Sequence, residues 1–253
     1  MFYCYLRDGI TDMLKALHCI ALRTIKYNER NNILTAYSLE AGRVSLLTSA
    51  GAGREAVRRR AITMPMSVFQ CVADMRPGRD IYNIREPQTY MALHGVYADP
   101  MKSAIAMFLA ELLAAVLKES QEDKALFSFL TDAIARLENM HRGIANFHIA
   151  FLYRLGRYIG IEPDISTYMP GRTFDMREGI FRVSPPLHSH YLDSADASVL
   201  ATLSRISWEN AHAYVFSRAE RQRVLQLMLD YYTLHYESLA TLRSLDVLRA
   251  LFD

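Results

Sequence analysis

The chain is short of cysteine, of long apolar runs and of catalytic signatures, and each shortage removes a class of protein. Its three cysteines, Cys4, Cys19 and Cys71, have no paired spacing, which argues against a secreted disulfide framework and a Cys-rich zinc site. The longest apolar stretch, residues 104–117, is broken by Glu111; it is too short to span a bilayer and reads as a buried helix. Near the N-terminus Arg7, Asp8, Asp12 and Lys15 interrupt any apolar core, so no signal peptide is read there and a cytoplasmic location is expected.

Catalytic patterns are equally scarce. Gly51-Ala52-Gly53 is not followed by Gly-Lys-Ser/Thr, so a phosphate loop has no support. The Gly-x-Ser-x-Gly and His-Glu-x-x-His patterns do not occur, and His188-Ser189-His190 with Asp193 nearby reads as polar surface rather than a ligand set. Glu122-Asp123 and the pair Asp193 and Asp196 are accounted for by helix starts. Cys19 and Cys71 sit in apolar strand contexts, where burial is expected and an exposed thiolate is not. No catalytic residue, cofactor or metal is therefore expected.

What is present is a charge asymmetry. Net charge is +2, yet residues 1–80 hold 12 Lys+Arg against 7 Asp+Glu, whereas residues 81–253 hold 17 against 20. A positive field on the smaller part suits a polyanion-binding module.

Hydrophobic periodicity changes along the chain in the same place. Residues 1–12 form no clear element and are expected to be a flexible extension. Alternating β-friendly residues predict strands over 17–27, 33–39 and 44–48 as a meander, a fourth over 67–73 and a fifth over 80–85. Five short strands hide their edges most economically in a small closed barrel. After Pro87 the period becomes helical. A short helix is predicted over 89–95, then longer ones from Asp99-Pro100 to about 119, from Asp123 to about 140 and over 144–158. Prolines at 163, 170, 185 and 186 make residues 161–193 an insert holding at most a small hairpin over 172–183. Helices resume over 195–206 and from a Ser217/Glu220 capping box through Leu239, with a terminal segment over 241–252. The fold class is thus α+β in two domains: residues 13–87 strand-rich, residues 88–253 mostly helical.

Two surfaces are candidates for binding. The first is the segment Gly51-Ala52-Gly53-Arg54-Glu55-Ala56-Val57-Arg58-Arg59-Arg60 between two strands. Arg54, Arg58, Arg59 and Arg60, with Lys26, Arg30 and Arg43 brought near by a meander, would form a basic finger on a phosphate backbone. Tyr27, Tyr37 and Phe69 are aromatics available for stacking on bases, if they face outward. The second is the helix over 144–158, where Arg142, Arg154 and Arg157 border Phe147, Phe151, Leu152 and Leu155. A basic rim around an apolar floor would accept an acidic peptide with a hydrophobic end; the alternative is a helix packed on that apolar side with its arginines in solvent.

The stretches Ala21-Leu22-Arg23-Thr24-Ile25-Lys26-Tyr27-Asn28-Glu29, Ile33-Leu34-Thr35-Ala36-Tyr37-Ser38 and Gly42-Arg43-Val44-Ser45-Leu46-Leu47 resemble the opening of the bacterial RecO family of recombination mediators. Ala110-Glu111-Leu112-Leu113, Ala125-Leu126-Phe127-Ser128-Phe129-Leu130 and the C-terminal residues 232–248 continue the resemblance, which covers about residues 13–252. It implies an N-terminal five-stranded OB-fold followed by a helical domain, without catalysis. It also implies binding to single- and double-stranded DNA, strand annealing, and action with RecR to load recombinase onto DNA covered by single-strand-binding protein, whose acidic Phe-ended tail docks on the helical domain. Carried onto this chain, DNA falls to Arg43, Arg54, Arg58, Arg59 and Arg60, and the tail to Arg142, Arg154 or Arg157. Many relatives insert a four-cysteine zinc module where residues 161–193 stand. No cysteine occurs there, so a thiolate-held zinc is excluded and packing of Phe174, Ile180 and Phe181 must hold the insert. The alternative function is a protein-interaction adaptor that does not touch DNA.

Overall fold

A computed structural model of the chain describes residues 14–51, 60–118 and 121–251. The expected extension over residues 1–12 lies outside them, as do Arg54, Arg58 and Arg59.

Strands β1 (Leu14–Lys26), β2 (Asn31–Ser38), β3 (Gly42–Ser49), β4 (Val68–Asp74) and β5 (Ile81–Met91) close into a barrel in the order β1-β2-β3-β5-β4. All neighbours are antiparallel except β3 and β5, which run parallel from Ser45↔Ile81 to Leu47↔Asn83. This is the five-stranded Greek-key barrel of the OB-fold, closed here by the β3–β5 and β1–β4 pairings. Side-chain alternation explains the closure. Leu17, Cys19 and Ala21 of β1, Leu34 and Ala36 of β2, Val44 and Leu46 of β3, and Phe69, Cys71 and Ala73 of β4 all point into one core. Each buried Leu or Phe contributes about 1.5–3 kcal/mol. A register shift between Ala21 and Arg23 bends β1, whose first half pairs with β4 and whose second half pairs with β2. Residues 60–63 form a helical turn that drops Ile62 into the core.

The fifth strand does not stop at Arg85, and residues 89–91 belong to it rather than to a helix. Gln70 pairs with Gln88 and Val72 with Arg85, leaving Glu86 and Pro87 opposite the single residue Cys71. Glu86 has a φ of +49°. Proline's missing donor thus falls at a bulge, where the ladder is already interrupted, and the strand continues. The short helix comes later, as α1 (His94–Ala98).

Helices α2 (Pro100–Val116) and α3 (Lys124–Asn139) follow. The Asp99 carboxylate accepts from Met101 and Lys102 N–H, and the Asp123 carboxylate from Ala125 and Leu126 N–H, so both predicted caps are formed. The molecule divides into two compact units. The first comprises the described residues up to Tyr97 with Leu109–Ile134, the second Ala98–Phe108 with the residues from Ala135 onward. In the first, Tyr37 is fully buried and stacks on Phe127 at 6.5 Å; its hydroxyl donates to the Gln121 carbonyl and accepts from Asp123 N–H, both at 3.1 Å.

The second unit contains α4 (Phe147–Tyr158), α5 (Ser194–Leu203), α6 (Arg218–His235), α7 (Ser244–Leu251) and a three-stranded sheet. Nine consecutive or near-consecutive residues of α4 are buried, including His148, so this helix has no apolar face left for a groove floor. Asn146, itself buried, fixes its start: the side-chain amide donates to the Ala211 and Tyr214 carbonyls at 2.9 and 2.7 Å and accepts from Arg221 Nε at 3.1 Å. Gly143, at φ +74°, lies so close to the 211–213 turn that a Cβ would meet His212 N at 2.7 Å. The Ser217/Glu220 capping box opens α6. That helix ends at His235, and Leu239 belongs to the 3-10 turn Glu237–Thr241 instead.

The insert forms the expected hairpin as β6 (Thr173–Asp175) and β7 (Ile180–Arg182), and β8 (Tyr191–Leu192) adds a third strand beside β6. Phe174 packs on Phe181 at 4.8 Å and on Tyr231 at 5.4 Å between ring centroids. Asp175 supplies what the sequence reading missed. It is only 1% exposed and accepts from Arg177 and Glu178 N–H and from Arg182 Nε at 2.8 Å, with His188 Nε2 at 3.4 Å. Burial raises its carboxyl pKa, but these donors outweigh burial and hold it below the usual carboxylate range.

Candidate nucleic-acid interface

The β1–β2 hairpin is held by Asn28, whose side-chain oxygen accepts from Arg30 and Asn31 N–H at 2.9 and 2.8 Å. This local turn leaves Lys26, Tyr27 and Arg30 exposed, Tyr27 by 58%. The end of β3 returns to the same place, because Ala50 N–H donates to the Arg30 carbonyl at 2.8 Å. The chain re-enters the described residues at Arg60, exposed on the 60–63 turn. That turn is tied to β1 by Thr24 Oγ1, which donates to the Thr63 carbonyl at 3.4 Å. Both stems of the segment bearing Arg54, Arg58 and Arg59 are therefore fastened at the same end of β1 and β2. Arg23, exposed next to Thr24, adds a cation that sequence reading missed because it stands apart from the arginine cluster in the chain.

Acidic residues offset this charge only in part, through Glu29, exposed in the same turn as Lys26 and Arg30. Strands β1, β2 and β3 contain no Asp or Glu, and among the described residues no carboxylate pairs with Arg23, Lys26, Arg30 or Arg60. Glu40 is engaged by His18, whose Nδ1 lies 2.7 Å from Oε1, and Asp74 by Arg76 at 3.1 Å. The outward residues Asn31, Ile33 and Thr35 of β2 and Ser45 and Leu47 of β3 are half-buried and uncharged.

Arg43 does not join the group. It pairs with Tyr37 at the Gly42 end of the hairpin, away from the Asn31↔Ser49 end, and its Nη1 donates to the Lys118 carbonyl at 3.1 Å. At that end the β4–β5 turn, Arg76-Pro77-Gly78-Arg79, exposes two further arginines absent from the predicted set. Their signal was the turn itself: in OB-folds the β1–β2 and β4–β5 loops and the β2–β3 face carry oligonucleotides. Of the three aromatics only Tyr27 is outward and open; Tyr37 and Phe69 are fully buried. Cys19 and Cys71 are buried as well, and their mutual hydrogen bond and burial push the Cys19 thiol pKa up.

In the second unit Arg142 and Arg157 are exposed. Arg154 is half-buried, donates twice to the Ile206 carbonyl at 3.2 and 3.1 Å, and lies 5.7 Å from the centroid of Trp208, which in turn stacks on Phe147. Phe147, Phe151, Leu152 and Leu155 are core residues. Among the described residues no three His, Cys, Asp or Glu side chains gather as a metal site, and no helix is long and apolar enough to cross a membrane.

Comparison with known proteins agrees with this architecture. Residues 13–90 match the family model described as Recombination protein O N terminal, and residues 97–246 match Recombination protein O C terminal. The DNA repair protein RecO of Phocaeicola vulgatus is 38% identical over 241 residues, covering 95% of this chain and 100% of the relative. That of Porphyromonas gingivalis strain W83 is 34% identical over 247 residues, with the same coverage. That of Flavobacterium johnsoniae is 30% identical over 236 residues, covering 92% of this chain and 97% of its own. An OB-type barrel followed by helices, matched over 92–95% of the chain by these relatives, places the chain in the RecO family of DNA repair proteins.

Proposed function

We propose that the chain is a non-catalytic mediator of recombinational repair, acting in the cytoplasm on the nucleoid. The barrel, whose last strand ends at Met91, binds single- and double-stranded DNA and promotes annealing by partly cancelling the repulsion between backbones. The helical region that begins at His94 docks protein partners: RecR, for recombinase loading, and the acidic tail of single-strand-binding protein, for which Arg142 and Arg157 offer exposed charge and Arg154 a half-buried one. The observation that carries the reading is the acid-free surface of β1, β2 and β3, beside which both stems of an arginine-rich segment are fastened.

The test is single-stranded DNA affinity measured against salt for the wild type and for the triple variant Arg58→Ala, Arg59→Ala, Arg60→Ala. Three lost phosphate contacts reduce the slope of log affinity against log salt by about 2. Equal affinity and an unchanged slope would remove the segment from the interface and favour the adaptor function.

A further inference from the structure

A pocket of about 370 Å³ opens in the first unit, between the 60–64 turn and the junction of β5 with α1. Ile62, Val68 and Leu93 form a buried apolar floor, Met64 and Met91 the sides, and Arg60 and His94 stand exposed at the rim. Tyr97 donates its hydroxyl to the Pro65 carbonyl at 3.1 Å, which fixes α1 against the turn. Among the described residues no carboxylate lines the pocket.

Three properties narrow its occupant. The volume is that of a small-molecule site, enough for a nucleobase and part of its sugar. Thioether and aliphatic walls give sequence-tolerant contact to a flat aromatic ring. Arg60 puts a positive charge on the rim, and the turn that bears it is tied to β1 beside Arg23 and Lys26. An extended peptide would need a free strand edge for its backbone, yet the strands that frame the pocket are paired with each other, Val68 with Met91. A nucleotide makes no such demand.

We propose that this pocket receives one unstacked base of a single DNA strand, with the adjoining phosphate held at Arg60. The proposal rests on the DNA-binding reading above and extends it. Bases of a duplex are paired and stacked, so the pocket gives the barrel a preference for single strands that charge alone does not supply.

Ala61 and Ala92 line the pocket and are exposed, so Ala61→Phe and Ala92→Phe fill it from the rim without entering the core. Binding is measured to an oligothymidylate, to an abasic strand of equal length and to a duplex. The wild type is expected to bind the thymidine strand on the order of tenfold tighter than the abasic strand, the effect of one stacked base. Each variant should lose that preference and keep its abasic and duplex affinities. A 2-aminopurine placed in the thymidine strand should change emission with the wild type and not with the variants. Variants that keep the preference, or a wild type that has none, overturn the pocket while leaving backbone binding intact. A wild type that binds none of the three ligands overturns the DNA reading itself. Loss of affinity for a hydrophobic-ended acidic peptide in the variants, with the base preference retained, would give the pocket to a protein partner instead.

Discussion

Acid should loosen this protein through one side chain. His148 lies fully buried on α4 with its ring edge-on to Phe108 at 6.3 Å between centroids. Burial, assisted by the Arg221 guanidinium, lowers its pKa from the ordinary 6.5 to about 3. The folded state thus keeps a neutral imidazole over a range in which the unfolded chain takes up a proton. The resulting stability is complete above the unfolded value and is lost progressively as pH falls from about 6.5 toward 3. Between pH 7.5 and pH 5 the unfolded state gains about one and a half decades of protonation, a loss of about 2 kcal/mol. That figure depends little on the folded value, provided it stays below about 4. The assay is urea unfolding followed by Trp208, the single tryptophan, which stacks on Phe147 next to His148. Comparing the wild type with His148→Leu at both pH values cancels other titrating groups. The variant should lose about 2 kcal/mol less than the wild type on acidification. An equal loss in both proteins would refute the reasoning.

Two further outcomes test the packing. Gly143→Ala combines a φ of +74° with a Cβ 2.7 Å from His212 N, and is expected to cost about 2 kcal/mol or more, read as a lower denaturation midpoint. Asn146→Ala removes both donations to the 211–214 backbone and the acceptor of Arg221; it should cost about 2–4 kcal/mol in the same measurement, and a loss below about 0.5 kcal/mol would show the amide to be dispensable.

How legible these features were depends on how local their causes are. Strand alternation in β1 to β4 and the caps at Asp99, Asp123 and Ser217 are set by neighbours in sequence, and the structure contains them. The continuation of β5 past Pro87 was hidden because a bulge and a strand end use the same residues; only the pairing with β4 separates them. Arg43 and Arg154 read as free cations, yet each spends its guanidinium on a backbone carbonyl, at Lys118 and Ile206. Bonds between residues 75 and 52 positions apart leave no trace in local composition. Tyr37 illustrates the same limit from the other side: it points out of the barrel core, but Phe127 covers it. The basic end of the barrel was half legible, since Lys26, Arg30 and Arg60 were foreseen while Arg23 was not, and the two arginines of the β4–β5 turn, Arg76 and Arg79, which lie at the opposite end, required the topology.

The insert also bears on the conditions this protein can withstand. A sheet clipped by thiolates and zinc depends on metal supply and on a reducing milieu, and chelators or oxidants undo it. Here the same stretch of chain hangs on the Asp175 carboxylate and a cluster of rings around Phe174, so metal starvation and thiol oxidation have no purchase on it. Its vulnerability is shifted to acid, where a carboxylate that gathers two backbone donors and an arginine must finally accept a proton.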